Sequence, residues 1–116
     1  MQNSVLTHKT LLFAARIIKL RKHLNEKFKE FDLAKQIGKS GTSIGANVNE
    51  ANYAQSKADF VSKMQIALKE TAETEYWIRL LCLTGYITSA EEESLLTDCI
   101  EIKKLLVSTV NTAKQN

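Results

Sequence analysis

Leu6, Phe13, Ile17, Leu20 and Leu24 recur at steps of seven, four, three and four, which puts them on one face of an α-helix and predicts a first helix from about Ser4 to Asn25. The pattern returns three times. Leu33, Ile37, Ile44, Val48 and Ala51 predict a second helix from Asp32, as N-cap, to about Ala54. Phe60, Met64, Ala67, Thr71, Ile78 and Cys82 predict a third, opened by the capping pair Ser56 and Asp59 and closed near Thr84 by Gly85. Leu95, Leu96, Cys99, Ile102, Leu106 and Val110 predict a fourth, from a second capping pair, Ser89 and Glu92, to about Thr112. Connections of a few residues between helices of ~20 residues force chain neighbours to lie antiparallel. The expected fold is therefore all-α, an antiparallel up-down-up-down four-helix bundle, with residues 1–116 as one domain.

Composition agrees with rods. There are no prolines and only four glycines, so little turn chemistry is present to punctuate a sheet. Three of those glycines, Gly38, Gly41 and Gly45, share one side of the second helix, where each costs about 1 kcal/mol relative to Ala. Close approach of a neighbouring helix would account for them; a local kink is the competing explanation. No apolar run nears the ~20 residues that span a bilayer, and Leu11 to Ala15 is cut short by Arg16, so neither a membrane span nor a signal segment is expected and a cytoplasmic protein is. Cys82 and Cys99 would sit roughly 10 Å apart along antiparallel helices, beyond disulfide reach, and are expected as reduced core residues.

Charge changes the picture more. Net charge is only +3, but residues 1–39 carry nine Lys or Arg against three acids, whereas the remainder carries seven against ten. Lys9, Arg16, His23 and Lys27 fall within about 40° of one another on the first helix, beside its apolar stripe. This basic ridge, widened by Lys19, Arg21 and Lys22, can contact phosphates, or can be a solvated helix surface.

Polar side chains also follow helical spacing in the middle of the chain. Gln36, Ser40, Ser43, Asn47 and Glu50 form a line at the edge of the second helix's apolar face, and Glu75 falls within the apolar sweep of the third. A carboxylate there needs partners, since an unpaired buried charge costs several kcal/mol. The expectation is that Glu75 accepts hydrogen bonds from Ser43 or Asn47. Tyr76, Trp77 and Arg79 form a cluster that reads either as an exposed anchor for another protein or as packing against the fourth helix.

Catalytic chemistry finds little footing. Gly38-Lys39-Ser40 lacks the earlier glycine of a phosphate loop, since Leu33 stands there, and no strand precedes it. Glu50, Glu70 and Glu73 could be imagined around a metal, but the Glu-x-x-His pattern is absent and His8 and His23 both lie on the first helix. Neither cysteine has an obvious histidine partner, and no glycine-framed serine elbow occurs. No enzyme, metal or cofactor is expected.

Gln36, the run Ser40 to Glu50 (Ser-Gly-Thr-Ser-Ile-Gly-Ala-Asn-Val-Asn-Glu), Lys57 to Phe60, and Ala67 to Leu81 (Ala-Leu-Lys-Glu-Thr-Ala-Glu-Thr-Glu-Tyr-Trp-Ile-Arg-Leu-Leu) resemble a bacterial family of four-helix bundles. That family includes proteins encoded in intervening sequences of large-subunit ribosomal RNA genes. The resemblance implies a ring-like homopentamer. Some relatives are accessory proteins of diversity-generating retroelements, which bind a reverse transcriptase and nucleic acid through a basic surface. On that basis Ser43, Asn47, Glu50, Glu73 and Glu75 match family polar positions expected to hold the second and third helices together. Three functions follow as expectations: a homo-oligomer that binds RNA or a ribonucleoprotein through the first helix, a protein-protein adaptor for an enzyme such as a reverse transcriptase, or charge asymmetry that serves self-assembly alone.

Overall fold

The computed structural model describes residues 4–115. Helix α1 spans Ser4–His23 and continues as a π-helical turn, Leu24–Phe28; α2 spans Phe31–Ala51, α3 Lys57–Leu83 and α4 Ser89–Gln115. No strand occurs among the described residues, and each helix packs chiefly on its chain neighbours, so the molecule is a four-helix bundle. It measures 47 × 21 × 18 Å.

The helix ends show why the chain turns where it does. Glu30, not Asp32, caps α2, its Oε1 accepting the Leu33 N–H at 3.2 Å. Ser56 caps α3 as its spacing predicts, accepting from the Asp59 N–H. At the far end of α3, Gly85 adopts φ +84 and the Tyr86 and Gly85 N–H groups donate to Leu81 O and Cys82 O, a Schellman closure that needs a residue tolerant of the left-handed region. The box at the start of α4 is Thr88 with Glu91, one residue earlier than Ser89 with Glu92: the Glu91 N–H donates to Thr88 Oγ1, and the Thr88 N–H donates to Glu91 Oε1. Hydrogen bonding from Thr88, its backbone N–H first and its side chain second, holds the Glu91 carboxyl below its ordinary range, helped by the nearby charges of His23 and Lys27 against the opposing effect of burial.

The expected apolar faces line the core, with Leu20, Leu33, Leu96 and Cys82 at its half-buried margin and Leu81 fully buried beside Ile78. Gly41 and Gly38 settle the question of the glycine line. A Cβ on Gly41 would stand 2.7 Å from Ile17 Cγ2, and one on Gly38 would stand 2.7 Å from Arg21 Cδ, so α1 lies directly against this side of α2. Close approach explains the glycines. Asn52 Nδ2 ties the end of α2 to Thr7 Oγ1 at 2.8 Å.

Among the described residues, four polar side chains are buried: Thr10, Ser40, Thr71 and Thr74. Each hydroxyl lies within hydrogen-bond reach of a carbonyl in its own helix, so burial leaves none orphaned. Ser40 and Thr74 also meet across α2 and α3 at 2.9 Å.

Candidate nucleic-acid interface

The six Lys and Arg residues of α1 and its π-turn are used in three ways. Lys9 and Arg16 stand one turn to either side of buried Phe13 and reach across to α4, where Lys9 Nζ meets Glu101 Oε1 and Arg16 Nη1 meets Asp98 Oδ2, each at 2.7 Å. Arg16 also donates to Ser94 O and Ser94 Oγ. These two cations close the α1–α4 seam. Both pairs remain well exposed, so salt and side-chain entropy limit their worth to about 1 kcal/mol or less. Arg16→Gln is accordingly expected to lower stability by no more than about 1 kcal/mol in urea unfolding, with the loss shrinking further in 1 M salt.

Arg21 is spent differently, its aliphatic stem lying over Gly38 of α2. Lys19, Lys22 and Lys27 are exposed and make no ion pair among the described residues, nor does Lys29, which follows the π-turn. The free positive charge therefore collects toward the α1–α2 turn, not along the middle of α1.

Aromatic rings occupy the same end. Phe28 sits edge-to-face with His23 at 5.7 Å and with Tyr86 at 5.2 Å between centroids, and Lys27 Nζ lies 5.3 Å over the Phe28 ring. Tyr86 donates its hydroxyl to Glu30 Oε2; partial desolvation, together with the Glu30 charge, raises the phenol above its ordinary range. Phe31 is 60% exposed at the first position of α2. A shallow groove of about 280 Å³ runs back from this end between α1 and α4, lined by Arg16, Lys19, Leu20, His23, Ile87, Glu91 and Leu95. Sequence spacing signalled the basic residues, but the rings of Phe28, Phe31 and Tyr86 carried no periodic signal.

The polar residues expected to lock α2 to α3 are mostly used elsewhere. Ser43 Oγ donates to Lys39 O and Asn47 Nδ2 donates to Ser43 O, both inside α2. Glu75 does not meet Ser43 or Asn47 as expected. Its carboxylate, 18% exposed, accepts from Arg79 Nη2 and from Lys103 Nζ of α4, each at 3.3 Å, because it leaves α3 on the side that faces α4. Glu50 reaches Lys63 on α3 at 3.6 Å, and Glu73 accepts the Trp77 indole N–H at 3.1 Å within α3. Glu70 has its carboxyl raised by partial burial and then by the Glu73 charge, with Lys69 and Lys39 opposing. Trp77 is half-buried against the core; Tyr76, edge-to-face with it at 5.0 Å, is the exposed member at 60%.

No group of three or more His, Cys, Asp or Glu side chains converges as a metal cage among the described residues. Cys82 and Cys99 are free thiols. Burial, aided by the Glu75 charge, pushes the Cys99 thiol up to about 12, so it stays protonated at neutral pH. No described helix is long and apolar enough to cross a membrane.

A solved structure described as a protein of unknown function from the S23 ribosomal protein family of Bacteroides thetaiotaomicron superposes with a TM-score of 0.89 at 54% identity, over 90% of this chain and 97% of that one. Among curated proteins, none matches the sequence. The model of the family described as 23S rRNA-intervening sequence protein matches residues 2–108, nearly the whole bundle with all four helices, and this chain belongs to that family.

Proposed function

We propose that this protein is a non-enzymatic homo-oligomer, a pentamer by its family likeness, that binds RNA through the basic surface at the α1–α2 end. The observation that carries the reading is the clustering of Lys19, Lys22, Lys27 and Lys29 without carboxylate partners, since unpaired surface cations are what phosphates displace counterions to reach. The family description, which names an intervening sequence of ribosomal RNA, makes RNA the first polyanion to test. Val5, Leu11, Leu12 and Ile18 leave apolar surface exposed on α1, and this supports assembly, which would multiply a modest patch by the number of subunits.

Binding to a structured RNA is expected to fall steeply with salt. Combining Lys19→Gln, Lys22→Gln and Lys27→Gln should weaken it at least tenfold and reduce the slope of log K against log salt by about two to three. An unchanged slope in anisotropy titrations would reject the assignment, and light scattering that reports a monomer at every ionic strength would reject the oligomer.

Exposed Tyr76 and Leu83, the latter 85% accessible, favour one second reading, an adaptor that presents α3 to a protein such as a reverse transcriptase. Partner retained in a pull-down after nuclease digestion supports the adaptor; partner lost on digestion supports RNA.

A further inference from the structure

We infer that the α1–α2 end of the bundle takes unpaired RNA nucleotides, with Phe31 as a stacking platform and Lys22, Lys27 and Lys29 as phosphate contacts; this rests on the RNA-binding reading above and specifies its substrate class.

Charge alone would suit any polyanion. What distinguishes this end is that flat apolar rings stand among the free cations. Phe31 is 60% exposed and Phe28 37% exposed, although each begins or ends a helix where a polar side chain would serve as well. Base faces can be covered by such rings only when the bases are not already stacked in a duplex, and base–aromatic stacking tolerates any sequence.

Phe28, three residues before the platform, is the ring that its surroundings hold still. Phe28 is fixed between His23 and Tyr86, Lys27 lies over its ring, and Tyr86 is anchored by Glu30. Two carboxylates at this end are committed: Glu30 caps α2 and accepts from Tyr86, and Glu91 closes the box with Thr88. Glu26 and Asp32 stand exposed with no ion pair among the described residues, against the three lysines. Lys29 leaves the π-turn with φ 55, which carries it out of the helical path between Phe28 and Phe31. At the same end of α1 the groove lined by Arg16, Lys19, Leu20, His23, Ile87, Glu91 and Leu95 mixes apolar and basic side chains with one carboxylate, and could take further nucleotides.

The test uses the full chain and two fluorescent probes, an unstructured RNA of about a dozen nucleotides and the same sequence annealed into a duplex, compared at each step of a series of low salt concentrations. The single strand is expected to bind about tenfold more tightly than the duplex. Phe31→Ala should weaken the single strand about tenfold, leave the salt slope and the melting temperature unchanged, and leave duplex binding as it was; Phe31→Trp should restore the affinity. Equal or tighter duplex binding, or a Phe31→Ala variant that binds the single strand like the parent, overturns the inference while RNA binding itself stands. Failure of both probes to bind overturns the inference together with the reading beneath it.

Discussion

Replacing Gly41 with leucine is expected to destabilise the bundle by about 3 kcal/mol, whereas replacing Gly38 with alanine is expected to be close to neutral. Both glycines face α1, and both would place a new Cβ 2.7 Å from an α1 side chain. The obstacles differ. At Gly41 the atoms in the way are Cγ2, Cγ1 and Cβ of Ile17, a fully buried β-branched side chain whose stiff χ1 gives it no alternative position. At Gly38 the obstacle is the middle of the Arg21 side chain, which is exposed and can swing aside, so the helix-propensity gain of about 1 kcal/mol offsets the crowding. Gly41→Ala should fall between, near 1 kcal/mol of net loss, because propensity and overpacking act in opposite directions. Urea unfolding of the three variants checks the order. Gly41→Leu as stable as the parent would mean that α1 does not lie against α2 at this point.

Phe13→Ala is expected to cost about 3–5 kcal/mol, the largest loss from any single core truncation on α1. Phe13 is 2% exposed and occupies the α1–α4 side of the core, the seam where the two helices touch less extensively than chain neighbours do. Truncation removes the ring from the place where fewest other side chains can fill in. The Lys9–Glu101 and Arg16–Asp98 pairs that bracket it are exposed, so they cannot compensate. Thermal unfolding should show a midpoint lower by 10 °C or more, at about 4 °C per kcal/mol for a chain of this length. The comparison must be made at fixed protein concentration, because association adds to apparent stability. A shift of only a degree or two would show that α1 is held to the bundle by α2 alone.

Much of this architecture was legible from periodicity. The five-residue apolar stripe of the first helix, the Ser56 cap and the Gly85 stop all depend on residues within one or two turns of each other, and the structure places them as their spacing predicts. Where two capping solutions were adjacent in sequence, spacing alone could not choose. Ser89 with Glu92 and Thr88 with Glu91 both satisfy the pattern, and the structure uses the second. Glu30 displaced Asp32 as a cap through the π-turn, which no hydrophobic period announces.

The site was less legible for a different reason. Arg16 and Asp98 are separated by 82 positions, and whether they meet depends on the register of α1 against α4, set by three intervening turns. The basic ridge was therefore visible as a row of charges, but its division into seam-closing Lys9 and Arg16 and free Lys19, Lys22 and Lys27 was not. Glu75 shows the same gap: it lies in the apolar sweep of α3, yet the helix it faces is α4. Helical phase can place a side chain at the margin of a core without naming the neighbour beyond it.

The π-turn at Leu24–Phe28 also bears on how this chain can change length. A regular α-helix that gains or loses a residue swings everything beyond the edit by about 100°, which would bring the apolar stripe of α1 out of its slot. A wide turn already accommodates one surplus residue locally. Because this turn ends α1, with only Lys29 and Glu30 between it and α2, a residue deleted there would leave the apolar stripe of α1 in phase and would be absorbed before α2 begins.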